Sequence, residues 1–297
     1  MELINEHNCA AVVIGRNEGK RLMSCIKSLL NRVNQIVYVD SGSTDNSLKD
    51  AKALGVDTLS LDMSTPFTAA KARNEGAQYL MHQYTGLKYI QFVDGDCEID
   101  PEWMDKAQDF LEKNARYAVV CGRRRERFPE QSIYNKLCDI EWDTPIGETL
   151  ACGGDALVIV VAFKEVGGYR DDLIAGEEPE MCFRLREHGW KIYRLDAEMT
   201  LHDAAMTKCS QWWNRAVRSG YAFALGSGIH GDSKERYWVK ERRRIIIWGL
   251  SLPILILVLM AFSSWAVLLV LVYPLQVLRI SLQRPELCTI KYPWAAS

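Results

Sequence analysis

Apolar and polar positions alternate in blocks along the first hundred residues, and these blocks predict strands followed by helices. Short, almost wholly apolar runs at 9–14, 35–39 and 89–93 are typical of the buried strands of a parallel sheet. The segments between them carry apolar residues at helical spacing, which predicts helices over 20–30 and 71–82. Each strand ends in polar residues. The pattern therefore predicts an open α/β sheet, which binds ligands at the carboxyl ends of its strands.

The second half of the chain is less regular. The pattern there predicts a strand over 118–121, a basic loop over Arg123–Arg127, a β-rich run over 156–163, a helix over 177–189 and short strands at 191–195 and 199–202. The predicted helix has three acidic residues in its first turn. Because no internal repeat or low-complexity linker separates the halves, we expect them to share one mixed sheet flanked by helices.

A long apolar segment lies near the C-terminus. Ile245–Leu278 is apolar except for serines and one glutamine, with arginines on both flanks. It is too long for one straight span of about 20 residues, and Ser263-Ser264 is a candidate turn, so we predict a hydrophobic helical hairpin. The flanking arginines favour cytoplasmic ends. We therefore predict a catalytic domain over 1–240 that faces the cytoplasm and a membrane-associated segment over 241–297.

Composition limits the function classes. The formal net charge is -2, so nothing global indicates a nucleic-acid partner. The cysteines number nine and include no C-x-x-C pair, which argues against a disulfide framework or a zinc site and favours a reducing cytosol. The N-terminus lacks a basic stretch followed by an apolar run, so we do not expect a signal peptide there.

The clearest candidate chemistry is the segment Asp94-Gly95-Asp96 at the end of the 89–93 strand. Two carboxylates one residue apart can approach one cation together, and Mg²⁺ or Mn²⁺ prefer such oxygen ligands while also binding phosphate. By itself the motif is weak evidence for a metal site, because the same residues also occur in solvent-exposed turns.

Other polar residues at strand ends strengthen that interpretation. Asp40 ends an earlier strand, where its carboxylate could accept from a base N–H or a ribose hydroxyl, and Glu18 follows the first strand and could reach the same nucleoside. Arg73 could pair with a diphosphate through its planar guanidinium. Taken singly, each of these residues could instead have an ordinary structural role, as a capping carboxylate or a solvent-exposed arginine.

The ordered set of these motifs resembles family-2 glycosyltransferases with the GT-A fold. The motifs are Ile14-Gly15-Arg16-Asn17-Glu18, Val39-Asp40-Ser41-Gly42-Ser43-Thr44-Asp45, Ala72-Arg73-Asn74, Asp94-Gly95-Asp96 and Gly176-Glu177-Glu178-Pro179-Glu180. The resemblance covers roughly residues 9–230. It implies an inverting transfer from a nucleotide-diphosphate sugar to an acceptor hydroxyl, with Mn²⁺ or Mg²⁺ as cofactor.

The resemblance also implies roles for individual residues. Nucleotide-sugar contacts are implied for Asn17, Glu18, Asp40, Arg73 and Asp94. Metal contacts are implied for Asp96, Asp94 and His202, with Asp96 the more direct ligand. Glu178 matches the catalytic base, although it is Glu where the family pattern has Asp. Gly154 and Asp155 match a segment beside the acceptor, with Asp in place of Asn.

Several alternatives stay open at this point. A membrane-tethered nucleotidyltransferase also places carboxylates at strand ends, but it usually has a glycine- and lysine-rich phosphate loop, which Gly15–Glu18 is not. A non-catalytic nucleotide-sugar sensor is the other alternative.

The segment 211–215 does not match the Gln-x-x-Arg-Trp pattern of processive synthases, and its paired tryptophans could stack on sugar, lie near a bilayer or pack in a core. We expect a glycan or lipid-linked acceptor, in cell-surface polysaccharide or glycolipid synthesis.

Overall fold

The computed structural model describes residues 8–64 and 66–283. Within them, nine strands form one sheet in the order β3-β2-β1-β4-β8-β6-β9-β5, with β7 paired to β9. The strands are β1 Cys9–Gly15, β2 Gln35–Asp40, β3 Asp57–Ser60, β4 Tyr89–Asp94, β5 Cys97–Ile99, β6 Tyr117–Glu126, β7 Gly147–Thr149, β8 Ala156–Ile159 and β9 Lys191–His202. The helices are α1 Lys20–Leu29, α2 Ser47–Ala53, α3 Ala69–Gln83, α4 Trp103–Lys113, α5 Ile133–Glu141, α6 Val160–Glu165, α7 Glu177–Glu187, α8 Cys209–His230, α9 Val239–Ile246, α10 Leu252–Met260 and α11 Val272–Gln283.

The predicted mixed α/β sheet with flanking helices is confirmed. Strands β1 to β4 are parallel, and the side chains of β1, β2 and β4 are almost all buried, because helices cover the sheet. The register places Gly15 beside Asp40 and Ile14 beside Asp94. Three strand ends therefore meet at one edge of the sheet, as expected for the carboxyl ends of parallel strands.

The other half of the sheet brings its own residues to this edge. Strand β8 runs antiparallel to both β4 and β6, and β9 runs parallel to β6. Near its end, β9 pairs antiparallel with β5, in a register that sets His202 opposite Cys97. This pairing brings His202 next to the segment that follows Asp96.

Three local predictions for the second half are wrong. The basic segment is not a loop, because its first four residues belong to β6, where alternation sends successive side chains to opposite faces. The run over 156–163 is a strand only to Ile159 and then turns into α6, in which Val160, Ala162 and Phe163 are buried. The two short strands are one strand, β9, whose register against β6 shifts near Arg123 and breaks the pattern.

The chain divides into two compact units. One comprises Met1–Phe128 and Glu141–Ala205, and the other comprises Pro129–Ile140 and Met206–Ser297. The first unit holds the sheet and one continuous apolar core. The functional division predicted at residue 240 stays a prediction.

The second unit contains the predicted helical hairpin. Val239–Met260 is one continuous helical segment with π-helical geometry at Ile247–Ser251, just before Pro253, whose missing N–H and ring clash disturb the preceding turn. After a break, a 3-10 segment Ser264–Leu271 continues into α11. The Tyr273 hydroxyl donates to the Trp248 carbonyl at 2.7 Å, which ties the two arms together. By length and composition, Val239–Met260 could cross a membrane.

Candidate active site

Asp94, the last residue of β4, lies between two guanidinium groups. Its Oδ1 accepts from Arg73 Nη2 at 2.9 Å, and its Oδ2 accepts from Arg124 Nη2 at 3.2 Å. Burial opposes ionisation of this carboxyl, but the two arginines outweigh burial and lower the pKa of Asp94 to about 2. Asp94 is therefore a fixed anion over the whole physiological pH range.

Arg73 is almost fully buried, with only 2% of its side chain exposed. Besides Asp94, it pairs through Nη1 with Glu177 Oε1 at 2.9 Å and with Glu178 Oε1 at 3.1 Å. Its guanidinium carbon lies 5.5 Å from the centre of the Tyr169 ring. Arg73 thus joins the end of β4 to the start of α7. Its predicted contact with a diphosphate stays a prediction, and any such contact would add to these three pairs.

The three acidic residues at the start of α7 occupy different environments. Glu180 is fully buried and pairs with Arg184 at 2.7 Å within the helix, so it has a structural partner. Glu178 keeps 16% of its side chain exposed. Burial raises the pKa of Glu178 to about 7, with Glu177 adding to the rise and Arg73 opposing it. A carboxyl that is half ionised at neutral pH suits a general base.

Asp96 and His202 form the candidate metal site. Asp96 Oδ2 lies 3.3 Å from His202 Nε2, and the ligand atoms of Asp96, Cys97 and His202 all lie within 4.8 Å of one another. Glu126 Oε2 lies 3.7 Å from the other ring nitrogen of His202. Carboxylate oxygen and imidazole nitrogen can both bind Mn²⁺, whereas the buried Cys97 thiol is a poor ligand for such a hard cation, because burial raises its pKa.

The groups around His202 also determine its protonation. Burial favours the neutral ring, but the neighbouring carboxylates of Asp96 and Glu126 outweigh it and raise the pKa of His202 to about 9. A cation held by His202 must displace that proton, since only the neutral ring offers a lone pair. The residues present therefore fit a divalent cation that binds with release of a proton.

Arg124 is the site residue that the sequence reasoning missed. It donates to Asp155 Oδ2 from Nη2 at 2.7 Å and from Nε at 3.0 Å. Asp155 has no exposed surface. It also accepts from the Thr200 hydroxyl at 2.8 Å and, through Oδ1, from the Asp94 amide at 3.0 Å. The alternation of a strand through Arg123–Arg125 was the signal that could have singled out the middle arginine.

Gly154 and Asp155 lie next to the group formed by Asp94, Arg73 and Arg124. A Cβ on Gly154 would stand 2.6 Å from Asp94 Oδ2 and 2.9 Å from Arg73 Nη2, which leaves no space for one. Asp155 supports Arg124 and the backbone of Asp94 from a fully buried position. The acceptor contacts predicted for both residues stay predictions.

Two predicted nucleoside contacts hold the loop after β2. Asp40 Oδ1 accepts from the Tyr38 hydroxyl at 2.9 Å, while its Oδ2 accepts from the amides of Gly42 and Ser43 at 3.1 and 2.9 Å. Asn17 Oδ1 accepts from the Thr44 amide at 2.7 Å. Both side chains thus shape a loop beside the strand ends, and their predicted contacts with a nucleotide sugar stay untested.

Glu18 borders the cavity at this edge. It pairs with Arg21 at 2.7 Å, and burial, followed by the charge of Asp96, raises its pKa. The cavity measures about 240 Å³. Its lining residues are Ile14, Gly15, Arg16, Glu18, Ser41, Phe67, Ala69, Asp94, Gly95 and Asp96. The structure thus brings Glu18, Asp94 and Asp96 to one concave surface, while Glu178 is linked to Asp94 through Arg73.

A second cavity of about 420 Å³ is lined by Arg124, Trp142 and Gly153, among others. Arg124 stacks over the Trp142 ring at 5.5 Å, and that ring meets His202 edge-on at 4.8 Å. Arg124 also donates to Asp94, which lines the first cavity, so one arginine contacts residues of both concave surfaces.

Comparison with known proteins decides the family. Residues 10–164, just over half of the chain, match Glycosyl transferase family 2. This chain belongs to glycosyl transferase family 2. The match includes Asp40, Arg73 and the Asp94–Asp96 segment, and it ends just before α7. The chain is therefore a glycosyltransferase, and the nucleotidyltransferase alternative is wrong.

One curated relative is similar over about three fifths of the chain. The succinoglycan biosynthesis protein ExoA of Rhizobium meliloti (strain 1021) is 24% identical over 196 residues, which is 61% of this chain. The match spans 58% of the length of ExoA, so it leaves a large part of that protein without a counterpart.

Solved structures share the fold. The mannosyltransferase PcManGT from Pyrobaculum calidifontis, in complex with GDP-Man and Mn²⁺, matches 97% of this chain and 84% of its own, at a TM-score of 0.64 and 14% identity. TarS residues 1–349 from S. aureus match 82% of this chain and 75% of their own, at a TM-score of 0.55 and 14% identity. A further TarS structure contains UDP. These matches confirm the predicted glycosyltransferase fold.

Proposed function

We propose that this glycosyltransferase is a membrane-attached, metal-dependent and inverting enzyme that moves a sugar from a nucleotide-diphosphate donor to an acceptor hydroxyl. One observation carries the proposal. The buried Arg73 pairs with both Asp94 of the Asp94–Asp96 segment and Glu178. One guanidinium group thus links the carboxylates of the donor side to the candidate base.

The donor side is the cavity between the ends of β1 and β4. Glu18 and the loop held by Asn17 and Asp40 surround the nucleoside, and Asp96 with His202 holds the cation. A bound Mn²⁺ or Mg²⁺ would neutralise charge on the departing diphosphate. The relatives crystallised with UDP or with GDP-Man and Mn²⁺ support this assignment of ligand class.

Glu178 acts on the acceptor. Its carboxylate accepts the proton of the acceptor hydroxyl while the oxygen of that hydroxyl bonds to the anomeric carbon and the bond from that carbon to the diphosphate breaks. The base and the leaving group lie on opposite faces of the anomeric carbon in such a displacement, so configuration inverts. Arg73 is a positioning residue here, since it fixes Glu178 against Asp94 from a buried place.

The acceptor is a glycan or a lipid-linked glycan in cell-surface polysaccharide or glycolipid synthesis. Similarity to a succinoglycan biosynthesis protein supports a polysaccharide product. The apolar helical segment Val239–Met260 supports attachment to the cell membrane. Arg242-Arg243-Arg244 on one flank and Arg279 on the other support a catalytic unit that faces the cytoplasm.

The test is transfer by the full chain in membranes, with a panel of nucleotide sugars and Mn²⁺, and with the anomeric configuration of the product read by NMR. We expect a product whose configuration is inverted relative to the donor. Glu178→Gln should bind donor normally and lower turnover by roughly 10²–10⁴-fold. Glu187→Gln, at the exposed end of the same helix, is the matched control and should retain activity.

Two outcomes would contradict the proposal. Retention of configuration would exclude single displacement, and full activity in Glu178→Gln would remove that residue from the role of base. Donor binding without any product, across the whole panel and with membrane lipids supplied, would favour the sensor alternative.

A further inference from the structure

The first half of α8 exposes a row of large apolar side chains. Trp213, Val217 and Tyr221 are 62%, 54% and 45% exposed, and they follow one another at intervals of four residues. At this spacing they share one side of the helix and extend over about 12 Å. We call these three residues the α8 stripe. Exposed apolar surface of this kind marks a contact with a partner or a membrane.

The opposite side of the same turns carries mostly polar and basic residues. At about 100° per residue, Arg215 and Ser219 project about 160° from the centre of the α8 stripe, and Gln211 and Arg218 project about 100–120° from it. Trp212 also lies on this side, with its ring 6.4 Å from that of Tyr134. Within the described part of the chain, the first three turns of α8 are exposed or half-exposed on both sides. This segment is therefore amphipathic, yet its apolar side faces none of the described core.

The second half of α8 is fixed next to the candidate membrane span. The Phe223 ring meets the Trp238 ring at 4.9 Å, edge-on. Gly226 lies so close to Trp238 that a Cβ would stand 2.6 Å from a ring carbon. Trp238 directly precedes Val239–Met260, so α8 is anchored at the start of that segment, in the same compact unit.

Resting on the membrane attachment proposed above, we propose that the α8 stripe lies in the headgroup region of the bilayer, with lipid as its partner. Tryptophan and tyrosine are enriched at that depth, and helices with an apolar face and a basic face lie in the plane of the interface. Contact with the membrane then begins in α8, upstream of the segment 241–297 in which sequence analysis places it.

The other occupants fit the row less well. A stable contact between two copies of the chain needs about 800 Å² from each partner, whereas aromatic side chains bury about 150–250 Å² each, so three side chains fall short. A sugar bound along the row would meet Val217 between the two rings, and that side chain offers no hydrogen bond to hydroxyl groups.

The experiment measures the depth of single labels on the full chain in vesicles of phosphatidylcholine and phosphatidylglycerol. Cys209 and Cys288 are replaced by serine, and spin labels are placed at Val217→Cys or Tyr221→Cys on the stripe. Arg215→Cys and Ser219→Cys on the opposite, polar side are the matched controls. Leu255→Cys, exposed within the candidate span, is the depth reference.

We expect labels at 217 and 221 to be reached by oxygen more readily than by a water-soluble nickel chelate, and labels at 215 and 219 to show the reverse. Equal accessibility on both sides of α8, with the label at 255 in lipid, would overturn this proposal and leave the span intact. A label at 255 in water would show instead that the membrane attachment itself is wrong. Protection at 217 and 221 from both reagents, also in detergent, would assign the stripe to a protein partner and overturn the lipid assignment.

Discussion

The Nη1 atom of Arg73 lies 3.1 Å from Glu178 Oε1, while the Nη2 atom of the same guanidinium lies 2.9 Å from Asp94 Oδ1. One planar group thus sets the distance between the candidate base and the end of β4. Because Arg73 is almost fully buried, water screens these pairs little, and their geometry depends on the fork shape of the guanidinium.

Replacing Arg73 should therefore impair catalysis even where the charge is kept. Arg73→Lys cannot hold Asp94 and Glu178 in one plane, so we expect a fall in turnover of about tenfold or more. Removing one partner of a buried ion pair costs about 3–5 kcal/mol, so Arg73→Ala should also lower the free energy of unfolding. Steady-state kinetics and thermal unfolding of both variants provide the measurements, with Arg116→Lys at an exposed position as control. Wild-type turnover in a folded Arg73→Lys variant would contradict the positioning role.

Activity should rise with pH up to neutrality. Glu178 accepts a proton only when ionised, and burial together with Glu177 raises its pKa to about 7. Below that value, kcat/KM should fall about tenfold per pH unit, and above it the profile should flatten, since this parameter reports groups of the free enzyme. Glu177→Gln removes a neighbouring negative charge, so the inflection should move to lower pH. A profile that is flat from about pH 5.5 to 8 would exclude Glu178 as the titrating base.

Nucleotide binding should depend on a divalent cation through Asp96 and His202. We expect Asp96→Ala and His202→Ala to leave the fold intact and to weaken nucleoside-diphosphate affinity in Mn²⁺. Without metal, wild type and variants should bind equally weakly, because the nucleoside contacts remain. Calorimetry with and without Mn²⁺ tests this, and His188→Ala, at the far end of α7, is the histidine control. Equal affinity in all four proteins, with and without Mn²⁺, would rule the cation site out.

Gly154→Ala should disrupt the site without unfolding the protein. The added methyl group would stand 2.6 Å from Asp94 Oδ2, so Asp94 and the arginines beside it must shift. Overpacking of this kind costs about 1–3 kcal/mol of the free energy of unfolding. We expect the protein to stay folded and its turnover to fall. Gly153→Ala is the matched control, because nothing lies within 4 Å of its Cβ position. Similar activity in the two variants would show that the close contact at Gly154 is tolerated.

The sequence was enough to predict the ends of β1, β2 and β4, because buried strands are apolar runs and the polar residue that follows is easy to see. It could not predict which carboxylate pairs with which arginine. Arg73 and Glu177 are 104 positions apart, and neither periodicity nor composition reports contacts over that separation. Similarly, Glu178 and Glu180 look alike in the sequence, but only burial against Arg184 identifies Glu180 as structural.

Arg124 escaped prediction for a related reason. A run of arginines is usually a solvated surface, and only the strand geometry of β6 turns one of them towards Asp155. The register shift between β6 and β9 misled the prediction in another way, because the sequence of one long strand with such a shift resembles that of two short strands. In both cases the deciding information is the pairing of β6 with β9, which is a tertiary property.

The sharing of Arg73 among several carboxylates also links the loading of the enzyme to its proton content. Asp94 and Glu177 raise the pKa of Glu178, so a proton on Glu178 and a cation beside Asp94 relieve the same excess of negative charge. By reciprocity, each must weaken the binding of the other. In the proposed mechanism, a cation beside Asp94 therefore lowers the pKa of Glu178 and favours its ionised form. The same ion that would hold the diphosphate would thus also prepare the proposed base, and an enzyme without the cation would keep part of its Glu178 carboxyl protonated.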